Sequence, residues 1–176
     1  MLRTSYAIAL GSNRRHGRFG SPAGVLKAAA ETLAERGLDI DDMSRIRSTP
    51  ALGPAGRGFA NAALLLSTDL LPPELLQELK AVERDFGRRS GRRWGSRVLD
   101  LDIILWSGGP WEEPGLIVPH PEMRRRLFVL DPLAEIAPDW RDPISSATVR
   151  QLRARLAREG RLTAPPPPPS WTGEGP

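Results

Sequence analysis

Two aspartates stand at alternate positions of an otherwise aliphatic run, Arg97-Val-Leu-Asp100-Leu-Asp102-Ile-Ile-Leu105. Such a run reads as a strand, and strand side chains alternate, so Arg97, Leu99, Leu101, Ile103 and Leu105 are expected on one side. Val98, Asp100, Asp102 and Ile104 take the other. At ~3.3 Å rise per residue the two carboxylate stems are roughly 6.5 Å apart, close enough for both to reach one cation or to hold a pair between them. Aspartate is poorly suited to strand interiors, so two of them amid aliphatics imply a compensating use. Oxygen-only ligands suit Mg²⁺, which keeps its other positions for water and substrate phosphates. Taken by itself, the strand is equally compatible with a half-exposed sheet whose aspartates face solvent.

The flanking sequence separates these readings. The net charge of +4 is nearly all arginine, with Lys27 and Lys80 the only lysines among 25 basic residues, so the overall bias says little and the clustering matters more. From Lys80 to Arg97 there are seven basic residues against Glu83 and Asp85, a stretch that attracts anions. Arg88, Arg89, Arg92, Arg93 and Arg97 surround Gly91, Trp94 and Gly95 in what reads as a loop able to close as a lid. Arginines beside metal-binding carboxylates are what a polyphosphate needs, since phosphoryl transfer proceeds by positioning and by spreading charge onto metal ions and guanidinium groups. The residues thus point to a Mg²⁺-dependent enzyme that transfers a phosphate-containing group from ATP. A competing reading is a basic, Trp-containing RNA-binding module on a ferredoxin-like sheet.

The order of elements supports that sheet. Thr4–Ser12 reads as a strand ended by Gly11-Ser12-Asn13, and Ser21, Pro22 and Gly37 bracket a helix. Residues 38–49 and 59–68 read as two strands on either side of a Gly/Pro-rich loop. Pro72-Pro73 opens a second helix that Gly87 closes, and the acidic strand follows. Strand, helix, two strands, helix, strand is the ferredoxin-like α+β pattern: an antiparallel sheet with helices packed on it in three α/β/α layers. A turn at Ser107-Gly-Gly-Pro110, a short apolar stretch at Leu116–Val118, a helical region through Ala137 and an amphipathic helix over 146–158 form a C-terminal helical extension. The arginines of that last helix read as a solvated face. One domain over 1–162 is expected, with 163–176, five consecutive prolines among them, as a flexible tail.

Several classes are excluded or disfavoured. Without cysteine there is no disulfide framework, thiolate metal site or cysteine nucleophile. Gly11 to Gly20 has neither a P-loop ending nor a dinucleotide fingerprint. The apolar run Tyr6-Ala-Ile-Ala-Leu10 is shorter than a signal-peptide core, so a cytoplasmic protein without a membrane segment is expected. His16 reads as a surface residue. His120, between two prolines, is either structural or a donor to a phosphate oxygen.

The segment Arg93-Trp94-Gly95-Ser96-Arg97-Val98-Leu99-Asp100-Leu101-Asp102-Ile103 closely resembles the signature of the 6-hydroxymethyl-7,8-dihydropterin pyrophosphokinases. The resemblance extends through Ala9-Leu-Gly-Ser-Asn13, Ser48-Thr-Pro-Ala-Leu-Gly-Pro54, Phe59-Ala-Asn-Ala62, Val118-Pro-His-Pro121 and Arg126-Leu-Phe-Val-Leu130. It implies transfer of the β,γ-diphosphate of ATP to the pterin hydroxymethyl oxygen, with release of AMP, in folate biosynthesis. By the same resemblance, Asp100 and Asp102 would hold two Mg²⁺ ions, and Arg88 and Arg97 would steady the triphosphate as catalytic residues. His120 and Arg126 would contact phosphate, Trp94 would belong to the lid, and Glu83 and Ile103 would belong to the nucleotide site. Phe59 and Phe128 would stack on the pterin, with Asn61 and backbone groups around Thr49, Pro50 and Leu52 reading its edge. The implied partners are small molecules, ATP and the pterin, with no nucleic acid or membrane and a monomeric chain. Phe59 departs from a frequent tyrosine, Lys80 from a frequent neutral residue and Ser96 from a usual proline. Which of Arg89, Arg92 and Arg93 meets ATP stays open. A third reading, a simple kinase of another small alcohol, predicts ADP in place of AMP.

Overall fold

The computed structural model describes residues 3–49, 58–87 and 98–163. Strand β1 (Thr4–Ser12) runs through the middle of the sheet, with Tyr6, Ile8 and Leu10 buried on one face and Ala7 on the other. Helix α1 (Pro22–Glu35) starts where the Ser21 hydroxyl accepts the Gly24 N–H at 3.2 Å, the expected N-cap. A side chain at position 24 would meet the Phe19 carbonyl oxygen at 2.1 Å, so only glycine fits there.

The expected strand over 38–49 is two strands, β2 (Asp39–Met43) and β3 (Arg47–Thr49). Buried Ser44 parts them: its hydroxyl accepts the Ala63 N–H at 2.9 Å and donates to the Arg45 carbonyl at 3.0 Å. A side chain thus replaces a ladder bond, and both pieces still pair with β4 (Phe59–Thr68). Helix α2 (Pro72–Gly87) buries Leu75, Leu79, Val82 and Phe86 at helical spacing. The acidic strand is β5 (Asp100–Trp106).

All pairings in the main sheet are antiparallel, in the order β2-β4-β1-β5 with β3 also on β4. With β2 and β3 counted as one broken strand, this is the ferredoxin-like arrangement. Helices α1 and α2 pack on one face around Tyr6, Ile8, Leu26, Leu64 and Leu101. On the other, α3 (Leu127–Ile136) and α4 (Val149–Thr163) pack around Ala7, Leu130, Leu133 and Val149. The sheet therefore separates two cores, as a three-layer α+β fold requires.

Strict alternation fails in β5. Ile8 pairs with Ile103 and Ala7 with Leu105, which leaves Ile104 unopposed in a β-bulge. Ile104 and Leu105 both join the α3/α4 core, so Leu105 lies on the aspartate side and not with Leu99, Leu101 and Ile103.

A hairpin of β6 (Trp111–Glu113) and β7 (Leu116–Val118) follows β5, and sequence patterning had indicated only its second half. The helical region expected through Ala137 divides into a 3-10 turn, Met123–Arg125, and α3, with extended backbone at Arg126 between them. Helix α4 begins later than expected, because Thr148 and not Ser146 caps it. The Gln151 N–H reaches the Thr148 hydroxyl at 3.2 Å and the Thr148 N–H reaches the Gln151 side chain at 3.0 Å, a reciprocal capping box.

Candidate active site

On the α3 side of the sheet a cavity of about 690 Å³ opens between the ends of β1, β4 and β5 and the start of α3. Asp100, Asp102, Phe59, Asn61, His120, Arg126 and Phe128 all line it, seven of the site residues expected from sequence. Their convergence has a simple origin. Antiparallel register places Gly11 between Asn61 and Asp100, and Ala9 between Ala63 and Asp102, so small β1 residues stand beside the polar side chains of the neighbouring strands. Small side chains there leave the volume that the cavity occupies.

Arg126 and Phe128 enter from the N-terminus of α3. The Arg126 guanidinium carbon is 5.7 Å from the Phe128 ring centroid, within range of a cation–π contact. Phe59 and Phe128 are each 51% exposed, unlike the phenylalanine of a core. Exposed aromatic faces in a cavity suit a flat heterocycle.

His120 is fixed at both ends of its residue. Its N–H donates to the Ile104 carbonyl at 3.0 Å, and its Nδ1 accepts the Glu122 N–H at 3.1 Å. With Nδ1 accepting, a neutral imidazole carries its proton on Nε2, which is then a donor.

The cavity also contains a residue that sequence reading did not single out. Asn13 lines it, and its buried Oδ1 has no hydrogen-bond partner among the described residues. The signal was its place at the end of Ala9-Leu-Gly-Ser-Asn13, where a strand stops beside the aspartates. Two carboxylates and an unmatched amide oxygen form an oxygen donor set fit for a hard cation. No group of three or more His, Cys, Asp or Glu able to hold a metal occurs among the described residues. A cation here would complete its shell with water or substrate oxygens.

Two expected site residues lie elsewhere. Ile103 is buried at 3% exposure in the α1/α2 core, so its side chain is on the far face of the sheet. Glu83 does not line the cavity; its carboxylate accepts the Leu101 N–H at 2.7 Å and receives Lys80 Nζ at 3.0 and 2.9 Å. Thr49 ends β3 opposite Phe59, while Pro50, Leu52, Arg88, Trp94 and Arg97 lie outside the described residues. His16 is more than a surface residue. Its ring stacks on Phe19 at 4.8 Å, Phe19 stacks on Phe86 at 4.8 Å, and its Nδ1 accepts the Arg18 N–H at 3.0 Å.

Residues 7–138 match the model of the family described as 7,8-dihydro-6-hydroxymethylpterin-pyrophosphokinase. The chain belongs to this family. A Synechocystis relative named 2-amino-4-hydroxy-6-hydroxymethyldihydropteridine pyrophosphokinase is 45% identical over 125 residues, covering 71% of this chain and 64% of its own length. A Methylorubrum extorquens relative of the same name is 39% identical over 155 residues, covering 87% and 94%. The crystal structure of wild-type Plasmodium falciparum HPPK-DHPS with pteroate shares the fold at a TM-score of 0.68 and 13% identity, covering 92% of this chain and 44% of that one. Membership of the pterin pyrophosphokinase family supports pyrophosphokinase activity in folate biosynthesis, and nothing favours the RNA-binding alternative. No helix among the described residues is long and apolar enough to cross a membrane.

Proposed function

We propose that this chain transfers the β,γ-diphosphate of ATP to the hydroxymethyl oxygen of 6-hydroxymethyl-7,8-dihydropterin and releases AMP. The observation that carries the reading is the joining, in one cavity, of two alternate carboxylates with two half-exposed phenylalanine rings. One set suits a metal-bound polyphosphate, the other a flat ring. Asp100 and Asp102 would hold two Mg²⁺ ions. When bound, these ions supply neutralisation of phosphate charge and polarisation of the acceptor hydroxyl.

The residues of the chain do the rest. Phe59 and Phe128 hold the pterin between ring faces, and Asn61 offers its amide to the ring edge. His120 presents Nε2–H, and Arg126 its guanidinium, to phosphate oxygens, so charge developing on the transferred group meets fixed donors. The acceptor oxygen forms a bond to the β-phosphorus as the bond from that phosphorus to the bridging oxygen breaks. The bridging oxygen leaves with AMP, and the hydroxyl proton passes to water. Arg88 and Arg97 would steady the triphosphate, Trp94 would belong to a closing lid, and backbone groups near Thr49, Pro50 and Leu52 would read the pterin edge.

The test is product identity. Purified protein with ATP, Mg²⁺ and the pterin alcohol should yield AMP and the diphosphorylated pterin in equal amounts. ADP in place of AMP would make the chain an ordinary kinase, and no nucleotide product would overturn the enzyme reading.

A further inference from the structure

Outside the set of residues that line the cavity lies a buried charge that the reaction leaves unassigned. The Asp142 side chain is fully buried in the turn between α3 and α4. Arg124 forks onto it, Nε to Oδ2 and Nη2 to Oδ1, both at 2.7 Å. The Ser145 hydroxyl donates to Oδ2 at 2.5 Å and the Ile144 N–H to Oδ1 at 3.1 Å. The turn is itself closed by backbone bonds, Asp142 N–H to the Ala147 carbonyl at 2.9 Å and Ser146 N–H to the Asp142 carbonyl at 2.8 Å.

Arg124 sits in the 3-10 turn that leads directly into Arg126 and Phe128. Arg126 has extended backbone (φ −122°, ψ 102°) and no side-chain cap, while its carbonyl accepts the Val129 and Leu130 N–H groups, both at 3.0 Å. The 3-10 turn is thus joined to the first turn of α3 through the single extended residue Arg126. Besides backbone bonds such as Met123 N–H to the His120 carbonyl at 3.1 Å, two side chains anchor that turn. Fully buried Met123 is apolar and non-directional. The Arg124 fork is directional, because bidentate pairing fixes the guanidinium plane as well as its position. Buried ion pairs are not in general a stabilising choice over apolar packing, so orientation is the property this one adds.

We propose that Asp142 and Arg124 are positioning residues for the reaction: their fork sets the 3-10 turn so that Arg126 and Phe128 face the cavity. The kinetic part of this inference rests on the diphosphokinase reading; the structural part does not.

Three variants test it. Arg124→Met leaves Asp142 its Ser145 and Ile144 donors, Asp142→Asn keeps the shape and weakens the fork, and Arg124→Lys keeps one charge-assisted hydrogen bond. The first two should raise KM for the pterin alcohol about tenfold, and Arg124→Lys should recover most of that loss. A purely structural role would lower the amount of active protein and hence apparent kcat, leaving KM alone. Unchanged KM in both Arg124→Met and Asp142→Asn overturns the inference. A second readout needs no substrate. Amide exchange at Val129 and Leu130 should accelerate about tenfold in Arg124→Met while Ala29 and Leu33 of α1 keep the wild-type rate. Equal exchange at all four sites overturns the inference, whereas a wild-type protein that releases no AMP overturns only the diphosphokinase reading.

Discussion

The Glu83 carboxylate on α2 accepts the backbone N–H of Leu101, the residue between the two aspartates, at 2.7 Å. Strand β5 is an outer strand of the sheet, and Glu83 satisfies one of its N–H groups from the helix layer. Lys80 holds the same carboxylate in place. Glu83→Ala should destabilise the protein by about 1–3 kcal/mol, the cost of stranding a part-buried donor. Glu83→Gln, which keeps an acceptor, should recover most of it. Urea melts of the two variants check this, and equal loss in both would mean that charge and not the Leu101 bond is what matters.

Asp100→Asn and Asp102→Asn should each reduce kcat by roughly 10²- to 10³-fold, because each removes a carboxylate that would hold cation charge against phosphate. Stability should change little in Asp102→Asn, where the side chain keeps its size and one of two carboxylates on the same strand face is gone. AMP release paired with a thermal melt separates the effects. Near-wild-type turnover in both variants would dismiss the metal assignment.

Phe59→Ala and Phe128→Ala should each raise KM for the pterin about tenfold, equivalent to about 1.4 kcal/mol. KM for ATP should shift little in Phe59→Ala. With each residue half exposed, the melting temperature should fall far less than for a core phenylalanine. Steady-state kinetics with each substrate varied in turn distinguish this from general damage.

The Asp142 carboxyl is held below the usual carboxylate range. Burial alone would raise it, but hydrogen bonds from Arg124, Ser145 and Ile144 together outweigh that. A lowered folded pKa means that the stabilisation is present above the unfolded-state value and is lost as pH falls through the folded one. Melts of wild type and Asp142→Asn from neutral to acid pH should therefore converge as the medium becomes more acidic than the ordinary aspartate range. At the alkaline end, burial raises the Tyr6 hydroxyl to about 12 from 10.0. Its contribution is whole below pH ~10 and is lost by pH ~12, a loss that Tyr6→Phe should not show.

Period-two and period-3.6 patterning sufficed for β1, α1, β4 and α2, because in each of them the buried residues repeat without interruption. It failed where one side chain altered the backbone count. Ser44 replaced a ladder bond and split a strand, and the unopposed Ile104 shifted Leu105 to the other face. Neither event leaves a mark in hydrophobicity. For the site, the aspartate spacing was legible as a shared face, but the meeting of Asn61, His120, Arg126 and Phe128 depends on long-range register and on the α3 entry angle. The family resemblance, and not periodicity, supplied those residues. Asn13 was legible as a strand end and not as a site residue, because an amide there is ordinary until its unmatched oxygen is seen.

Leu79→Ala on α2 should cost about 2–5 kcal/mol, since Leu79 is completely buried in the α1/α2 core. KM for both substrates should hold, as measured below the lowered melting point. A changed KM would show that the far core influences the cavity.

That last expectation follows from the sheet lying between two cores, with the cavity on only one side. Neither α1 nor α2 lends a residue to the cavity wall, so the heat tolerance that those two helices supply can vary apart from substrate choice. A lineage can repack α1 against α2 to suit a warmer habitat without retuning what it recognises, and a change around the first turn of α3 can alter selectivity while the keel beneath it stays the same.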